Sequence, residues 1–270
     1  MSMRLLLDGD FKRYFDPMRT MGALWLFQHV PKTAGSSLRE EIGGALRENR
    51  PATNIHVDGM DPAIPFHERL DLAVEAFATR CGDNAYRFAS GHIFARHVAR
   101  IRAAAPQTHL FTFLRDPVSR FVSDYRYQRS PMHPGHEVFQ RDVPTLEAFL
   151  ARGWTANQMA QYLLPLELVR ARDPARALDY LLDNFEFVGL QDDYDASFRI
   201  LARLIGIERE PSHHARTNPP TPDNPAEIDP ALAARIEAAH ALDRALFDGV
   251  RTRLDAVKGE LEAWLLQRAA

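Results

Sequence analysis

The sequence of 270 residues holds a single cysteine, Cys81. One thiol excludes an intramolecular disulfide framework and any zinc site built from several thiolates, and it fits a reducing compartment. Long apolar runs are missing as well: Met1 to Pro17 carries only Leu5 to Leu7 before Asp8 and Asp10 interrupt it. That opening resembles neither a signal peptide nor a membrane span, so a cytoplasmic protein without a transmembrane segment is expected. Charge of one sign is lacking too. With 33 basic and 36 acidic residues the formal net charge is -3, which gives no bulk attraction to nucleic acid; any charged partner must meet a local patch. Internal repeats, low-complexity tracts and the H-E-x-x-H motif are absent. His213 and His214 are adjacent and His133 and His136 are three apart, a spacing read as solvated loop residues, and no metal is expected.

What is present is an alternation of short apolar runs and helical stretches. Leu24 to Val30 predicts a buried strand stopped by Pro31, and Leu38 to Glu48 a helix after a glycine and hydroxyl segment. Pro51 to Pro65, rich in Pro, Asp and Gly, predicts a long irregular connection, followed by a helix over His67 to Arg80. Tyr86 to Ala89 predicts a second strand running into Ser90-Gly91-His92, with a helix over Phe94 to Ala104 after it. His109 to Leu114 predicts a third, and Asp116 with Pro117 supplies an N-cap and a first-turn proline for a helix to about Gln128. Ser130 to Pro144 predicts a surface loop, Thr145 to Asn184 helices broken at Gly153, Pro165 and Asp173-Pro174, and Phe185 to Leu190 a fourth strand. An amphipathic helix over Asp193 to Ile205 ends at Gly206, and the chain is helical from Asp229 onward. This order predicts the α/β class: a parallel sheet with helices on both faces and a helical C-terminal region. In such sheets ligands bind beyond the carboxyl ends of the strands.

Three strand ends carry candidate chemistry. After the first, Pro31-Lys32-Thr33-Ala34-Gly35-Ser36-Ser37 lies between a strand and a helix, where main-chain N–H groups converge with positive potential. Gly35 permits close approach, Thr33, Ser36 and Ser37 add hydroxyls, and Lys32 adds a full charge. The guest this favours is a phosphate or sulfate. A Walker A loop places its lysine directly after the second glycine, whereas Lys32 precedes Gly35 by three residues, so an ATPase loop is disfavoured. After the third strand, Arg115 stands ahead of a helix on which Ser119 and Ser123 share a face, and a guanidinium with a hydroxyl grips a phosphate well. Arg120 lies on the same helix, within reach of Asp116 at i−4. After the second strand, His92 is delivered to the same sheet edge, and an imidazole near its ordinary pKa suits proton removal at neutral pH. Each segment taken alone also reads as structural: a capped turn, a salt-bridging arginine, a packed histidine. His29 is a second imidazole, inside the first strand.

Taken together the segments resemble PAPS-dependent sulfotransferases. Pro-Lys-Thr-Ala-Gly-Ser-Ser after Phe-Gln-His-Val is similar to the 5′-phosphosulfate loop of that family, and R-D-P-x-x-R-x-x-S-x-Y from Arg115 to Tyr125 is similar to its 3′-phosphate motif. Gly91-His92 ahead of the arginine resembles the catalytic segment of the uronyl 2-O-sulfotransferases, within the branch that modifies heparan and chondroitin sulfates. The resemblance implies 3′-phosphoadenosine-5′-phosphosulfate (PAPS) as cofactor, adenosine 3′,5′-bisphosphate as product, and no metal. It implies His92 as base and Lys32 as the charge that stabilises the departing phosphate. Lys32, Thr33, Ala34, Gly35, Ser36 and Ser37 would hold the phosphosulfate, and Arg115 with Ser123 the 3′ phosphate. Arg216 and Asn218, in the proline-rich loop Pro211 to Pro225, occupy the place where the family closes over the nucleotide. The branch has a second histidine where this chain has Ser90. The resemblance also implies one domain over 1–270, with a nucleotide-binding core over about 22–206 and a C-terminal loop and helices after it. The implied acceptor bears a hydroxyl, on a glycan, a glycolipid or another small alcohol. A phosphotransferase using ATP and a non-catalytic nucleotide-binding module are the alternatives.

Overall fold

The computed structural model describes residues 2–16, 23–46, 52–57, 60–61, 63–81, 86–211 and 228–267. At its centre is β1, Leu24–Gln28, whose five residues are all buried. β2 is Ala52–Ile55, β3 Phe88–Gly91, β4 Thr108–Leu114 and β5 Phe187–Leu190. They form a sheet in the order β2-β3-β1-β4-β5, and every pairing is parallel. The strand order reverses about β1, so a crevice opens where β1, β3 and β4 end.

Alternation along the strands sorts side chains by kind. Trp25, Phe27, Phe88, Phe111, Phe113 and Phe187 point to one face, which is covered by the helices Gly35–Leu46 and Tyr194–Ile205 and by Leu6, Phe11 and Tyr14 of the N-terminal segment. Leu24, Leu26, Ala89, Leu110 and Val188 point to the other, covered by Phe66–Cys81, Ala95–Ala104, Pro174–Asn184 and the first half of Ala241–Leu266. Burial on both faces is what a parallel sheet needs.

The helix Gln158–Leu163 is locked to the C-terminal helix by mutual caps. Asn157 Oδ1 accepts from the N–H groups of Leu242 and Asp243, while the Asp243 carboxylate accepts from Met159 and Ala160 at 3.0 and 2.8 Å. Each helix satisfies donors that the other leaves open at its N-terminus.

Two predicted loops are corrected. The irregular stretch Pro51 to Pro65 contains the edge strand β2, whose four residues are too few and too polar to show a period. The loop Ser130 to Pro144 contains the helix His136–Asp142, which buries none of its residues and therefore carries no apolar stripe. Strand ends move by a few residues: β1 stops at Gln28 before Val30, and β3 runs on through Gly91 beyond Ala89. A Cβ on Gly91 would lie 2.8 Å from the Ile55 carbonyl oxygen, so glycine lets β2 approach here. The helix predicted from Leu38 begins at Gly35.

Candidate functional site

The ends of β1, β3 and β4 open into one cleft of about 1260 Å³, lined by Lys32, Ala34, Gly35, Ser37, His92, Arg115 and Ser123 among others. Lys32 and Ala34 have φ of 70° and 71°. The left-handed region costs a residue with a Cβ about 1–2 kcal/mol. Left-handed residues alternating with ordinary ones turn successive N–H groups to one side, the concavity that receives an anion, and the helix from Gly35 adds its positive end. Lys32 Nζ stands 4.2 Å from the centre of the Tyr127 ring, on the helix Pro117–Arg129. Thr33 faces inward: it is fully buried and its hydroxyl donates to the Val30 carbonyl at 2.9 Å, which leaves only its main chain for an anion. The Ser36 side chain, Arg216 and Asn218 lie outside the described residues.

Gly35 is demanded by its neighbour, because a Cβ there would lie 1.7 Å from Nε2 of His29. The His29 ring stacks on Phe27 at 5.0 Å and stands tilted 4.2 Å from the His92 ring, so anion loop and imidazoles are in continuous contact. His92 Nδ1 is 2.8 Å from the His29 carbonyl oxygen. A carbonyl only accepts, so Nδ1 carries the proton and the lone pair falls on Nε2. One side of His92 is open to the cleft while the walls crowd the other, and this burial lowers its pKa below the usual histidine value against the pull of the carbonyl bond. Burial, then the neighbouring His92, pushes His29 lower still. Both rings are therefore neutral at pH 7.

Gln28, buried at the end of β1, donates to the Ile93 and Tyr162 carbonyls at 3.2 and 2.7 Å. It ties the segment after His92, and the helix bearing Tyr162, to the central strand. Ser90 turns away from the cleft, its hydroxyl 2.7 Å from Oδ1 of Asn54 on β2.

Arg115 follows β4. Its Nη1 donates to the Lys32 carbonyl at 3.2 Å, its Nε is buried without a partner, and burial lowers its pKa while leaving it cationic at neutral pH. Ser119 and Ser123 line the same cleft one turn apart. Arg120 does not reach it. That side chain is fully buried and Nη1 donates to Asp124 at 3.3 Å and to Gln158. The i−4 pairing with Asp116 is replaced: Asp116 accepts from the Ser119 N–H at 2.8 Å, capping the helix, and from Arg244 at 2.6 Å.

The rest of the lining has another character. Phe66, Met132, Trp154 and Tyr162 belong to it, while Asp192 and Asp193 follow β5, which pairs with β4 on the Arg115 side. Tyr162 stacks on Phe94 at 4.6 Å and meets the His92 ring edge-on at 6.5 Å, and burial pushes its phenol up to about 12. Asp192 pairs with Arg251 and Asp193 with Lys258. Sequence reasoning gave none of these residues a role at the site, nor Gln28 or Tyr127.

Among the described residues no three of His, Cys, Asp and Glu gather as a metal site would require, and no helix is long and apolar enough to cross a membrane. No protein-family model matches the chain, and no curated protein matches it in sequence. Among solved structures, the crystal structure of a sulfotransferase from Alicyclobacillus acidocaldarius is similar at a TM-score of 0.50 and 18% identity, covering 84% of this chain and 94% of that one. At that identity the likeness is one of fold, and the chain shares the α/β fold of a bacterial sulfotransferase.

Proposed function

We propose that this protein transfers a sulfuryl group from PAPS to the hydroxyl of an acceptor. The observation that carries the reading is the convergence of three separate strand ends on one cleft. Arg115 is hydrogen-bonded to the Lys32 carbonyl, and His92 is stacked through His29 against Gly35. The shared fold supports it independently.

The residues fit the nucleotide. Buried Arg115, with an Nε that no protein group meets, and Ser123 one helix turn beyond Ser119 suit a phosphate at the 3′ position. The main chain of 32–35, Ser37 and Lys32 suit the phosphosulfate. When bound, the nucleotide supplies the sulfuryl group, which passes to the acceptor oxygen as the bond to the bridging phosphate oxygen breaks and that oxygen keeps the electron pair. Nε2 of His92 takes the acceptor proton, because Nδ1 is held protonated by the His29 carbonyl. Lys32 and the N–H groups of the loop offset the charge on the departing phosphate. Leaving the Tyr127 ring for that phosphate is a short swing of one flexible side chain.

A phosphotransferase using ATP has less support, since ATP has no phosphate for an Arg115–Ser123 site distinct from the loop. Thermal shift with adenosine 3′,5′-bisphosphate against ATP and magnesium tests this: the bisphosphate stabilises the chain and ATP does so weakly. Release of bisphosphate from PAPS in the presence of a hydroxylated acceptor tests catalysis, and stabilisation by ATP alone would sink the reading.

A further inference from the structure

We infer that the acceptor is an uncharged hydroxylated aromatic compound, seated against Phe66 and Tyr162 beside His92, and not a uronate-rich glycan. The inference rests on the sulfotransferase reading and deepens it.

Acceptor and base must touch, so the side chains around His92 describe the acceptor. They are rings. Tyr162 meets His92 at 6.5 Å, Phe94 backs Tyr162 at 4.6 Å, His67 lies 6.2 Å from Phe94, and Phe66 lies 5.7 Å from His67. Of these, Phe66 and Tyr162 line the cleft. Among the described residues, seven large apolar side chains are exposed, and three of them, Phe66 at 43%, Met132 at 51% and Trp154 at 51%, line this one cleft. Apolar surface gathered at a site, instead of scattered, marks a place that an apolar body covers. Aromatic rings add edge and face preferences that favour another ring.

Charge points the same way. The described lining has three cationic side chains, Lys32, Arg115 and Arg126, and four acidic ones, Asp124, Asp192, Asp193 and Asp195. A phosphate monoester alone brings about two negative charges, and with a phosphosulfate the nucleotide outnumbers the three cations. A polyanionic acceptor would add negative charge where no further cation of the described lining meets it.

Base strength is the third strand. His92 is a weak base, its pKa lowered by burial. A phenolic hydroxyl, at about 10, gives up its proton far more readily than an alkyl or sugar hydroxyl, which lies nearer water at about 15.7. A weakened imidazole therefore suits an aryl acceptor, whose proton moves to Nε2 as the oxygen attacks sulfur.

The experiment measures bisphosphate release from PAPS with 2-naphthol, methyl glucoside and an unsulfated uronate oligosaccharide, on the full chain and on Phe66→Ala. Phe66 is exposed, so this variant keeps its fold; Leu72→Ala, an exposed apolar residue outside the cleft, is the control. Naphthol is expected to be the best acceptor. Phe66→Ala raises its KM about tenfold, the loss of one ring contact and its buried area, with kcat and bisphosphate binding unchanged, and Leu72→Ala behaves as the parent. Preference for the glucoside or the uronate, or an unchanged naphthol KM in Phe66→Ala, overturns the inference. Bisphosphate binding without naphthol turnover removes the aryl acceptor alone, whereas absence of bisphosphate binding removes the sulfotransferase reading and this inference with it.

Discussion

The two walls of the cleft solve opposite problems with opposite materials. On one, Lys32, Arg115, Ser119 and Ser123 are polar groups presented by a strained loop and a helix face, and they are cross-tied by the bond from Arg115 to the Lys32 carbonyl. On the other, Phe66, Trp154 and Tyr162 offer ring surface. The first wall must hold charge in a fixed place, and the bond from Arg115 ties its two segments together. The second must hold an apolar body, and packing there needs shape more than direction. His92 stands at the junction, hydrogen-bonded to the loop side through His29 and touching the aromatic side through Tyr162.

Removing the junction residue breaks the comparison most severely. His92→Ala is expected to lower kcat by about 10² to 10⁴, the range for a positioned general base, while thermal shift by the bisphosphate stays as in the parent. In the parent, the base works as the neutral ring and its pKa is lowered. The acid limb of a kcat/KM–pH profile, which reports the free enzyme, therefore falls below about 6.5: activity rises as pH climbs through that limb and is level by neutrality. A limb above 7, or near-normal turnover in His92→Ala, would take the imidazole out of its role.

Arg115→Ala strikes the cation wall alone. A hydrogen bond to a charged group is worth about 1.5–3 kcal/mol, so bisphosphate should bind about 10- to 100-fold more weakly. Because the same side chain also holds the Lys32 carbonyl, Arg115→Lys is expected to restore less than half of that loss in free energy; a lysine cannot serve both partners in fixed geometry. Titration calorimetry with the bisphosphate decides it, and full recovery by lysine would reduce Arg115 to a point charge.

The walls also differ in how much of them the sequence reveals. The cation wall is legible because each part sits in a contiguous segment whose backbone role is written locally: strand then Gly35 loop, strand then Asp116-Pro117 cap. The parallel sheet, its carboxyl edge and the meeting of Lys32, Arg115 and His92 follow from that order. The aromatic wall comes from Phe66, Trp154 and Tyr162, which only the tertiary fold brings together, so no spacing announces it. Arg120 shows the same limit on a smaller scale: the local alternative was Asp116, and Arg244, 128 residues from it, takes that carboxylate. β2 escaped because an edge strand of four residues need bury only one of them.

A third intervention acts on the tie between the walls. Gly35→Ala drives a methyl into His29, 1.7 Å from Nε2, and overpacking of this kind costs about 1–3 kcal/mol. Adding His29→Ala should cost less than the sum of the two single losses, since the clash is then gone, without restoring turnover. Additive losses in the double variant would show that Gly35 is needed for something other than the imidazole stacked on it.

The smallest expected effect separates binding from folding most cleanly. Ser123 is half-buried on the cleft face of the helix Pro117–Arg129. Its hydroxyl is assigned to a phosphate and to nothing that holds the helix, which is anchored by the Asp116 cap and by Phe121, Val122 and Tyr125. Ser123→Ala then loses one neutral hydrogen bond to the ligand, about 0.5–1.5 kcal/mol, a weakening of bisphosphate by about 2- to 10-fold. Alanine is the better helix former by a few tenths of a kcal/mol, so the melting temperature of the ligand-free chain should hold or rise slightly. A drop in that temperature with unchanged affinity would make Ser123 a structural residue and leave Arg115 to hold the phosphate without it.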